Sequence, residues 1–368
     1  MSFEPLSLWF KDKARDLPWR LPKQVATPCQ NPDCYLDPWA VLVSEIMLQQ
    51  TQVTTVLPYF KRWMERFPSY HELAKADEDE VMKMWEGLGY YRRAKNLQKA
   101  ARYLVDIGGF PNTRQELLKI PGVGPYTSAA ILAFAFHQKS VPVDGNVLRV
   151  ASRYLASFED ISKSSTAKLF ETALFPLLPQ REPWIAAEAL IELGATVCKL
   201  QNPACSICPL NQTCLAYQKK LVTTLPIKSK VQNSEKLWRT VAVIVHPSQE
   251  GPKWLACQKV TPGLFQGLWH FPYIEREEES FEIEHEVEKL KNTLELELQL
   301  FQVLKERKHS FTRFSAHLSP LKMKAFNIER LKASHESKYH WLDINTLKNL
   351  TFCSGHRQIR DELCQSSL

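Results

Sequence analysis

The stretch LLKIPGVGPY, residues 117–126, decides the fold of the first half of this 368-residue chain. Helical patterns lie on both sides of it, and Gly122 and Gly124 allow a tight turn between the two helices. Pro125 suits the first position of the second helix. Backbone N–H groups at such a helix start carry partial positive charge and can hold a phosphate without reading the base sequence. The stretch therefore predicts either a phosphate-binding hairpin or an ordinary turn between packed helices.

Helical patterns extend outward from this turn over more than half of the chain. From residue 6 to about residue 216, apolar positions recur every three or four residues, and Pro, Gly, Asn and Asp separate the segments. Residues 218–236 are rich in lysine and polar side chains and show little periodicity. This composition indicates a linker, although it is also typical of a solvated loop.

The pattern changes again beyond the linker. Residues 240–246 and 254–259 favour strands, and residues 294–300 alternate leucine with glutamate or glutamine at period two. Residues 275–291 are strongly acidic with one apolar face, which predicts an amphipathic helix. We therefore expect an α+β chain with three parts: a helical domain over residues 1–217, a linker over 218–236 and a mixed α/β domain over 237–368.

Charge and hydropathy indicate the kind of partner and the compartment that suit this chain. Its 47 Lys and Arg residues exceed its 40 Asp and Glu residues, a basic excess that suits a polyanionic partner but also occurs without one. No apolar run is long enough to cross a bilayer, and the N-terminus lacks the pattern of a signal peptide. We expect a cytoplasmic protein that does not enter a membrane.

The cysteines indicate a metal site. Nine are present, an odd number, and four of them crowd into one segment with the spacing C-x6-C-x2-C-x5-C. This density favours metal binding over disulfides. Four thiolates can hold a [4Fe-4S] cluster or a tetrahedral zinc ion, and the spacing alone does not separate the two from each other. Four unrelated buried cysteines are the remaining alternative. The candidate ligands are Cys198, Cys205, Cys208 and Cys214.

Two carboxylates stand in unusual surroundings. Glu45 lies in the apolar helical stretch SEIMLQQTQ, residues 44–52, where burial would raise its pKa. Asp144 lies in VPVDGNVLR, residues 141–149, and by itself favours the N-cap of a helix. A cap can also serve as an anion in a binding site, so the two roles of Asp144 are compatible.

The cysteine spacing resembles the cluster loop of the endonuclease III superfamily of DNA glycosylases. Because the chain also has this cysteine spacing, we interpret residues 114–136 as similar to the helix-hairpin-helix of the superfamily. The resemblance implies a [4Fe-4S] cluster at the four cysteines, in a loop of residues 198–214 that binds DNA far from the chemistry. It also implies that Gly122 and Gly124 contact the DNA backbone.

Further motifs are similar to those of the MutY family of adenine DNA glycosylases, over about residues 9–217 and more weakly beyond. They lie at residues 15–19, 44–53, 87–91, 144–146 and 188–194. Removing adenine from deoxyribose needs an acid that protonates the base and an anion that stabilises the sugar cation. The resemblance assigns the first role, at adenine N7, to Glu45 and the second to Asp144.

The resemblance also implies supporting roles for other side chains. Tyr126 and Asn146 would hold the catalytic carboxylates by hydrogen bonds. Plain core packing is an alternative for Trp19 and Leu48. The residues expected to line the pocket for a flipped adenine are Arg15, Trp19, Leu48 and Glu188, and those expected to enter the gap beside the partner base are Gln50 and Tyr90.

The absence of a lysine distinguishes two kinds of glycosylase. Superfamily members that cut the DNA strand carry a lysine nucleophile where this chain has Tyr126, and Leu148 occupies a second position where some members carry lysine. We therefore predict a monofunctional enzyme that leaves an abasic site without efficient strand cleavage.

The second domain resembles a Nudix-like domain. Residues 267–272, GLWHFP, are similar to a Gly-Leu-Trp-Glu-Phe-Pro signature, but the catalytic Nudix box is missing, so we expect no pyrophosphate hydrolysis. In the family this domain reads 8-oxoguanine through a Phe-Ser-His loop. The corresponding residues here include Thr312 and Arg313, with Phe314-Ser315 as a second possible register. This departure leaves the strength of lesion discrimination open.

A second departure is the longer loop that contains Cys29 and Cys34. Two cysteines without further ligands nearby favour a surface loop over a metal site.

The sequence thus predicts a monomeric adenine glycosylase acting on double-stranded DNA with A:8-oxoguanine or A:G mispairs. Two other functions remain open: an endonuclease III-like glycosylase and lyase for oxidised pyrimidines, and a non-catalytic iron-sulfur protein that binds DNA. Tyr126 and the second domain count against the lyase. The presence of both Glu45 and Asp144 counts against the non-catalytic protein.

Overall fold

The computed structural model describes residues 2–20, 36–229, 235–263, 265–277, 281–311, 314–329, 331 and 337–366. The chain divides into two compact units, Met1–Ala76 with Arg92–Lys230 and Asp77–Tyr91 with Val231–Leu368. Residues 77–91 lie within the predicted helical domain, and by their contacts they group with the second unit. Their hydrogen bonds to residues near the C-terminus explain this, because such long-range contacts leave no local pattern.

α-Helices make up most of the described part of residues 2–229. They are α1 (Glu4–Lys13), α2 (Pro38–Leu48), α3 (Val53–Arg66), α4 (Tyr70–Lys75), α5 (Glu78–Trp85), α6 (Arg92–Asp106), α7 (Arg114–Leu117), α8 (Pro125–Phe134), α9 (Gly145–Tyr154), α10 (Ser164–Leu174), α11 (Pro183–Thr196) and α12 (Leu215–Gln218). Short 3-10 helices lie at Pro18–Arg20, Phe175–Leu177 and Cys205–Ile207. Of the α-helices, α5 belongs to the second unit and the others to the first.

The turn predicted from residues 117–126 joins α7 to α8. The Thr113 side chain caps α7 by accepting a hydrogen bond from the backbone N–H of Glu116. Gly122 has a φ of 81°, in the left-handed region that favours glycine, and a Cβ there would lie 2.9 Å from Cβ of Asn96. Gly124 is the N-cap of α8, and Pro125 follows at its first position. The predicted hairpin is confirmed.

The second unit contains an eight-stranded mixed sheet. Its strands are β1 (Glu235–His246), β2 (Lys253–Lys259), β3 (Trp269–His270), β4 (Tyr273–Arg276), β5 (Leu298–Val303), β6 (Arg307–Phe311), β7 (Phe314–Ala325) and β8 (Ser337–Leu342). The central order is β3-β2-β1-β7-β5, with β4 on β1, β6 on β7 and β8 on β2. The long pair β1–β7 is parallel and the other pairs are antiparallel.

Helices cover both faces of this sheet. They are α13 (Ile283–Leu294), α14 (Ile344–Asn349) and α15 (Ser354–Ser366). Because side chains alternate along a strand, Val241 and Val243 of β1 pack in the cluster that includes residues of α14 and α15. Ala242 and Ile244 pack with leucines of α13 on the other face. The two faces of β1 therefore belong to two separate apolar cores, and the expected α+β class is confirmed.

Two local predictions in this unit were partly wrong. The amphipathic helix expected over residues 275–291 begins only at Ile283, because Tyr273–Arg276 pairs with β1 as strand β4. The strand expected over residues 294–300 begins at Leu298, since Leu294 ends α13. In the part of the chain that the structure describes, no helix combines the length and apolarity needed to span a bilayer.

Candidate active site

A cavity of about 910 Å³ opens in the first unit where α2, the hairpin, the start of α9 and α11 meet. Pockets that bury a small ligand usually enclose roughly 300–1,000 Å³. The structure brings most of the predicted site residues together here. Those that line the cavity are Arg15, Trp19, Glu45, Leu48, Gln50, Gly122, Gly124, Tyr126, Asp144, Asn146 and Glu188.

Glu45 is the buried acid of the cavity. It lies on α2, where eight other residues are also buried, and its own exposed fraction is 7%. Burial raises its pKa to about 7, and the charges of Asp144 and Glu188 act in the same direction. The Tyr126 hydroxyl donates a 2.6 Å hydrogen bond to Glu45 Oε2, which lowers the pKa in part and fixes the orientation of the carboxyl. Glu45 can thus carry a proton near neutral pH.

Asp144 is both the cap of α9 and a wall of the cavity. Its Oδ1 accepts a 2.7 Å hydrogen bond from the backbone N–H of Val147, and its Oδ2 accepts a 2.8 Å bond from Asn146 Nδ2. Burial raises its pKa, and these two hydrogen bonds oppose that rise. The carboxylate is therefore fixed at both oxygens, with the charged form stabilised by donors.

Four charged side chains form a network beside these carboxylates. Arg20 Nε donates to Glu188 Oε1 at 2.5 Å, and Arg20 Nη2 donates to Glu192 Oε2 at 2.9 Å. Arg15 binds Glu192 through two nitrogens, at 2.6 and 3.0 Å. Burial raises the pKa of Glu188. For Glu192 burial acts in that direction too, but bonds from both arginines hold its pKa below the ordinary value.

Sequence reasoning missed Arg20 and Glu192. Arg20 directly follows Trp19, and Glu192 lies one helical turn after Glu188 on α11, so both stood next to residues already singled out. The i,i+4 spacing of Glu188 and Glu192 was the available signal, because such residues share a helix face. Arg15 lines the cavity as expected, but Glu192 holds its guanidinium.

The remaining predicted residues have different surroundings. Trp19 is 7% exposed and packs edge-on against Phe60, with 5.2 Å between ring centroids, so it is a core residue as well as a wall of the cavity. Leu48 ends α2, and Gln50, with a φ of 56°, follows at an exposed position. Tyr90 lies in the second unit.

Several predictions lie outside the described residues. Thr312 and Arg313, expected to read the partner base, fall between β6 and β7 in the undescribed part. Cys29 and Cys34 also lie outside the described residues.

The four clustered cysteines surround a second, smaller cavity in the first unit. Cys198, Cys205, Cys208 and Cys214 all line it, together with Arg153. Arg153 Nη1 donates to Cys198 Sγ at 3.4 Å. Among the residues that the structure describes, no three His, Cys, Asp or Glu side chains are grouped closely enough for a single metal ion.

A chain of hydrogen bonds joins the cysteine loop to Asp144. Arg149 Nη2 donates to Asn146 Oδ1 at 2.9 Å and to the carbonyl of Gly194 at 2.7 Å, and Arg149 Nε donates to the carbonyl of Cys198 at 2.8 Å. Asn146 in turn holds Asp144. The start of α9 is therefore tied both to α11 and to the first cysteine.

Comparison with known proteins identifies the family. A model described as the HhH-GPD superfamily base excision DNA repair protein matches residues 43–176, and a NUDIX domain model matches residues 240–362. The adenine DNA glycosylase of Schizosaccharomyces pombe is 36% identical over 332 residues, which cover 76% of this chain and 70% of that protein. The chain belongs to the adenine DNA glycosylase family.

Other relatives agree with this assignment. The human adenine DNA glycosylase is 34% identical over 72% of this chain, but the match spans only 56% of the human protein's length. An adenine DNA glycosylase from Buchnera aphidicola is 29% identical over 93% of this chain and 91% of its own length. This family member is thus a DNA N-glycosylase of the helix-hairpin-helix type with a Nudix-like second domain.

Solved structures are similar to part of the chain. A thermostable thymine-DNA glycosylase matches with a TM-score of 0.49 and 27% identity, covering 58% of this chain and 94% of that one. A trapped covalent intermediate of endonuclease III with DNA matches with a TM-score of 0.48 and 27% identity, covering 60% of this chain and 95% of that one.

Proposed function

We propose that this adenine DNA glycosylase excises adenine mispaired with 8-oxoguanine or guanine in double-stranded DNA, by hydrolysing the N-glycosidic bond. One observation carries the proposal. Glu45, with a pKa of about 7, and Asp144, held by two donors, line the same cavity. An acid and an anion are the two groups that this hydrolysis requires.

Glu45 supplies the proton to the leaving base. A base extruded from the duplex enters the cavity, where the protonated Glu45 carboxyl donates to adenine N7. The bond between sugar C1′ and adenine N9 then breaks with its electron pair on the base, which leaves as neutral adenine. Tyr126 supports this role because its hydrogen bond at 2.6 Å holds Glu45 in place.

Asp144 stabilises the sugar cation that remains. The backbone N–H of Val147 and the amide of Asn146 fix its two oxygens, so little reorganisation is needed as positive charge develops at C1′. Water adds to C1′ and loses its proton to a carboxylate or to solvent, which completes the hydrolysis and leaves an abasic sugar.

The enzyme is proposed to be monofunctional. Strand cleavage through a Schiff base needs an amine that attacks C1′. No lysine is among the cavity-lining residues of the described chain, and Tyr126 stands where the strand-cutting relatives are expected to carry one. The abasic product is therefore released without efficient strand cleavage.

We assign the DNA contacts to the hairpin and to four further side chains. Gly124 is the N-cap of α8, and a Cβ there would meet no atom within 4 Å, so a phosphate can approach the backbone at this helix start. Gln50 and Tyr90 enter the space beside the partner base. Thr312 and Arg313 contact 8-oxoguanine in place of the family's Ser-His pair, a role that remains a proposal from sequence.

We also propose that Cys198, Cys205, Cys208 and Cys214 hold a [4Fe-4S] cluster, the group that the family resemblance implies. The fit is supported by four thiols around one cavity and by the Arg153 cation beside Cys198. When bound, the cluster shapes the loop of residues 198–214 for DNA binding. Visible absorption by the holoprotein checks this proposal, because zinc has a filled d shell and gives no such absorption.

The test of the function compares Glu45→Gln with Glu116→Gln, an exposed glutamate of α7 outside the cavity. Adenine release from an A:8-oxoguanine duplex under single turnover is expected to fall by about 10²–10⁴-fold in the first variant, and not in the second. Duplex affinity should stay close to wild type in both, since glutamine keeps the size of the side chain. Full activity of Glu45→Gln would overturn the proposed acid.

A further inference from the structure

A loop in the second unit presents one exposed aromatic ring. In this Tyr90 loop, residues 86–91, Gly87, Gly89 and Tyr90 all have positive φ values, of 108°, 71° and 49°. Tyr90 is 45% exposed. A left-handed backbone at a non-glycine residue persists only where its surroundings hold it there. The shape of the loop is therefore set by the contacts on either side of Tyr90.

A buried ion pair holds the first side of the loop. Glu86 is 9% exposed and Arg360 of α15 is 4% exposed. Arg360 Nη1 donates to Glu86 Oε1 at 2.8 Å, and Nη2 donates to Oε2 at 3.1 Å. The backbone N–H of Phe352 adds a 2.8 Å bond to Oε1, and Lys83 Nζ adds a 2.9 Å bond to Oε2. Two-point binding of this kind fixes orientation as well as distance.

The other side of the loop is held by the same short segment. The Tyr91 hydroxyl donates to the carbonyl of Phe352 at 3.1 Å, and Tyr91 is buried. Across the loop, Trp85 Nε1 donates to the carbonyl of Gly89 at 3.1 Å. Both backbone polar groups of Phe352 are thus used to hold the residues that flank Tyr90.

The segment that contains Phe352 is supported by the GLWHFP motif, residues 267–272. The backbone N–H of Trp269 donates to the carbonyl of Thr351 at 2.9 Å, and that of Cys353 donates to the carbonyl of Trp269 at 3.0 Å. The ring of Phe271 packs against Phe352 with 5.2 Å between centroids. The motif therefore positions the backbone N–H and carbonyl of Phe352, which form hydrogen bonds to the Tyr90 loop.

We propose that Glu86 and Arg360 are positioning residues for Tyr90. Their ion pair orients the loop so that the phenol ring enters the stacked bases of duplex DNA beside the mispair, and this inference rests on the proposed function for the role of Tyr90. The Tyr90 loop and β6 and β7, which flank the predicted lesion-reading residues, all belong to the second unit. Partner-base reading and ring insertion are therefore performed by one compact body.

A contribution to folding stability does not by itself explain the Glu86–Arg360 ion pair. Burying two charges carries a large desolvation penalty, and apolar residues of similar volume often give equal or greater stability. An apolar pair would leave the direction of the loop less defined, whereas a two-point ion pair with an added backbone donor allows one arrangement. Glu86 and Arg360 therefore serve to fix the orientation of the Tyr90 loop.

The test is a double-mutant cycle of Arg360→Met and Tyr90→Ala in the full-length holoprotein. The probe is an A:8-oxoguanine duplex with a 2-aminopurine base beside the lesion, whose fluorescence rises when the ring unstacks it, whether or not adenine is released. Either single variant is expected to lose most of this signal and to slow single-turnover cleavage by about tenfold to a hundredfold. The double variant should be no worse than Tyr90→Ala, because Arg360 acts through Tyr90.

Three further variants separate positioning from folding. Asp361→Asn is the matched control, because Asp361 contacts the same guanidinium at 2.6 Å but is half-exposed and does not touch the loop. It should retain the wild-type signal. Arg360→Lys and Glu86→Gln, which perturb the pair less, should lose part of the signal while their melting curves stay close to wild type.

The inference would be overturned by a wild-type fluorescence signal in Arg360→Met, or by additive effects in the double variant. It would also be overturned if Tyr90→Ala left the signal unchanged. Loss of adenine release by the wild-type protein, with the Tyr90-dependent signal intact, would refute the proposed function and leave the positioning role standing.

Discussion

The protein environment of Glu45 determines the pKa of its carboxyl. It lies on an almost wholly buried helix, and burial raises its pKa to about 7. Asp144 lies in the same cavity, but donors at both of its oxygens favour its charged form. Burial raises the pKa of both carboxyls, but Asp144 has more donors to oppose the rise, so the two can act as acid and as anion at the same pH.

The rate of adenine release should depend on pH through both groups. Glu45 is active when protonated, so the single-turnover rate is expected to fall by about tenfold per pH unit above its pKa of about 7. Asp144 is active when ionised, and since its pKa is raised from 3.8, protonation should lower the rate on the acidic side. A pH–rate profile on A:8-oxoguanine duplexes measures both limbs. A flat profile from about pH 6 to about pH 9 would exclude Glu45 as the acid.

The same burial should destabilise the folded protein at neutral pH. Unfolded Glu45 ionises near its ordinary value of 4.5, whereas the folded side chain keeps its proton up to about 7. As pH rises through this window the unfolded state loses its proton first, so stability falls by up to about 3 kcal/mol. Glu45→Gln lacks this penalty. Its melting temperature should exceed that of wild type at about pH 8 and match it near pH 4.

A matched control for this comparison is Glu116→Gln, whose carboxyl is exposed. It should not reproduce the pH-dependent gain. Equal melting temperatures of Glu45→Gln and wild type at all pH values would show that burial does not shift the pKa of Glu45.

The structure brings together residues that the sequence singled out by a local pattern. Glu45 stood out as a charge within an apolar helix, and Asp144 as a cap before Gly145 and Asn146, and the structure brings both to one cavity. Arg20 and Glu192 were missed because their importance comes from pairing between α11 and a distant segment. The i,i+4 spacing of Glu188 and Glu192 hinted at a shared helix face, but it did not reveal the arginine partners.

At the scale of elements, close packing of α9 against α11 positions Asp144. Gly194 of α11 has no side chain, and a Cβ there would lie 2.6 Å from Cβ of Asn146 and 2.9 Å from its carbonyl oxygen. Asn146 would therefore have to move, and Asp144, which it holds, would move with it. The motif at residues 188–194 thus includes a glycine whose role is contact between helices.

Gly194→Ala is accordingly expected to reduce adenine release by about a hundredfold, because a displacement of about 1 Å at a catalytic group has effects of that size. Single-turnover kinetics and duplex affinity, measured on the same preparation, separate catalysis from binding. Gly145→Ala serves as a comparison for stability, since a Cβ at Gly145 meets no atom within 4 Å. Wild-type kinetics in Gly194→Ala would contradict the proposal that contact between Gly194 and Asn146 positions Asp144.

Element length alone did not decide which elements were predicted. The hairpin and the strands β1 and β2 followed from pattern, whereas the short strands β3 and β4 and the 12-residue strand β7 did not. Residues 275–276 looked like the start of a helix, but pairing with β1 took them into the sheet. Residues 77–91 have an ordinary helical pattern, and their bonds to residues near the C-terminus, among them Phe352 and Arg360, group them with the second unit.

At the scale of the whole molecule, the proposed function places the bond cleavage in the first unit and the proposed lesion-reading residues in the second. The first contains the cavity with Glu45 and Asp144, and the second contains the Tyr90 loop and the strands that flank Thr312 and Arg313. The net charge of +7 favours a polyanionic substrate, and binding should weaken as salt rises because phosphate contacts release counterions.

The most direct test of the proposed function is single-turnover cleavage of three duplexes, carrying A opposite 8-oxoguanine, A opposite G, or thymine glycol, each analysed with and without alkali. We expect breaks at adenine that appear mainly after alkali, with the A:8-oxoguanine duplex cleaved faster than A:G if Thr312 and Arg313 still read the lesion. Alkali-independent breaks at thymine glycol would instead show an endonuclease III-like lyase. No breaks in any duplex would show a DNA-binding protein without glycosylase activity.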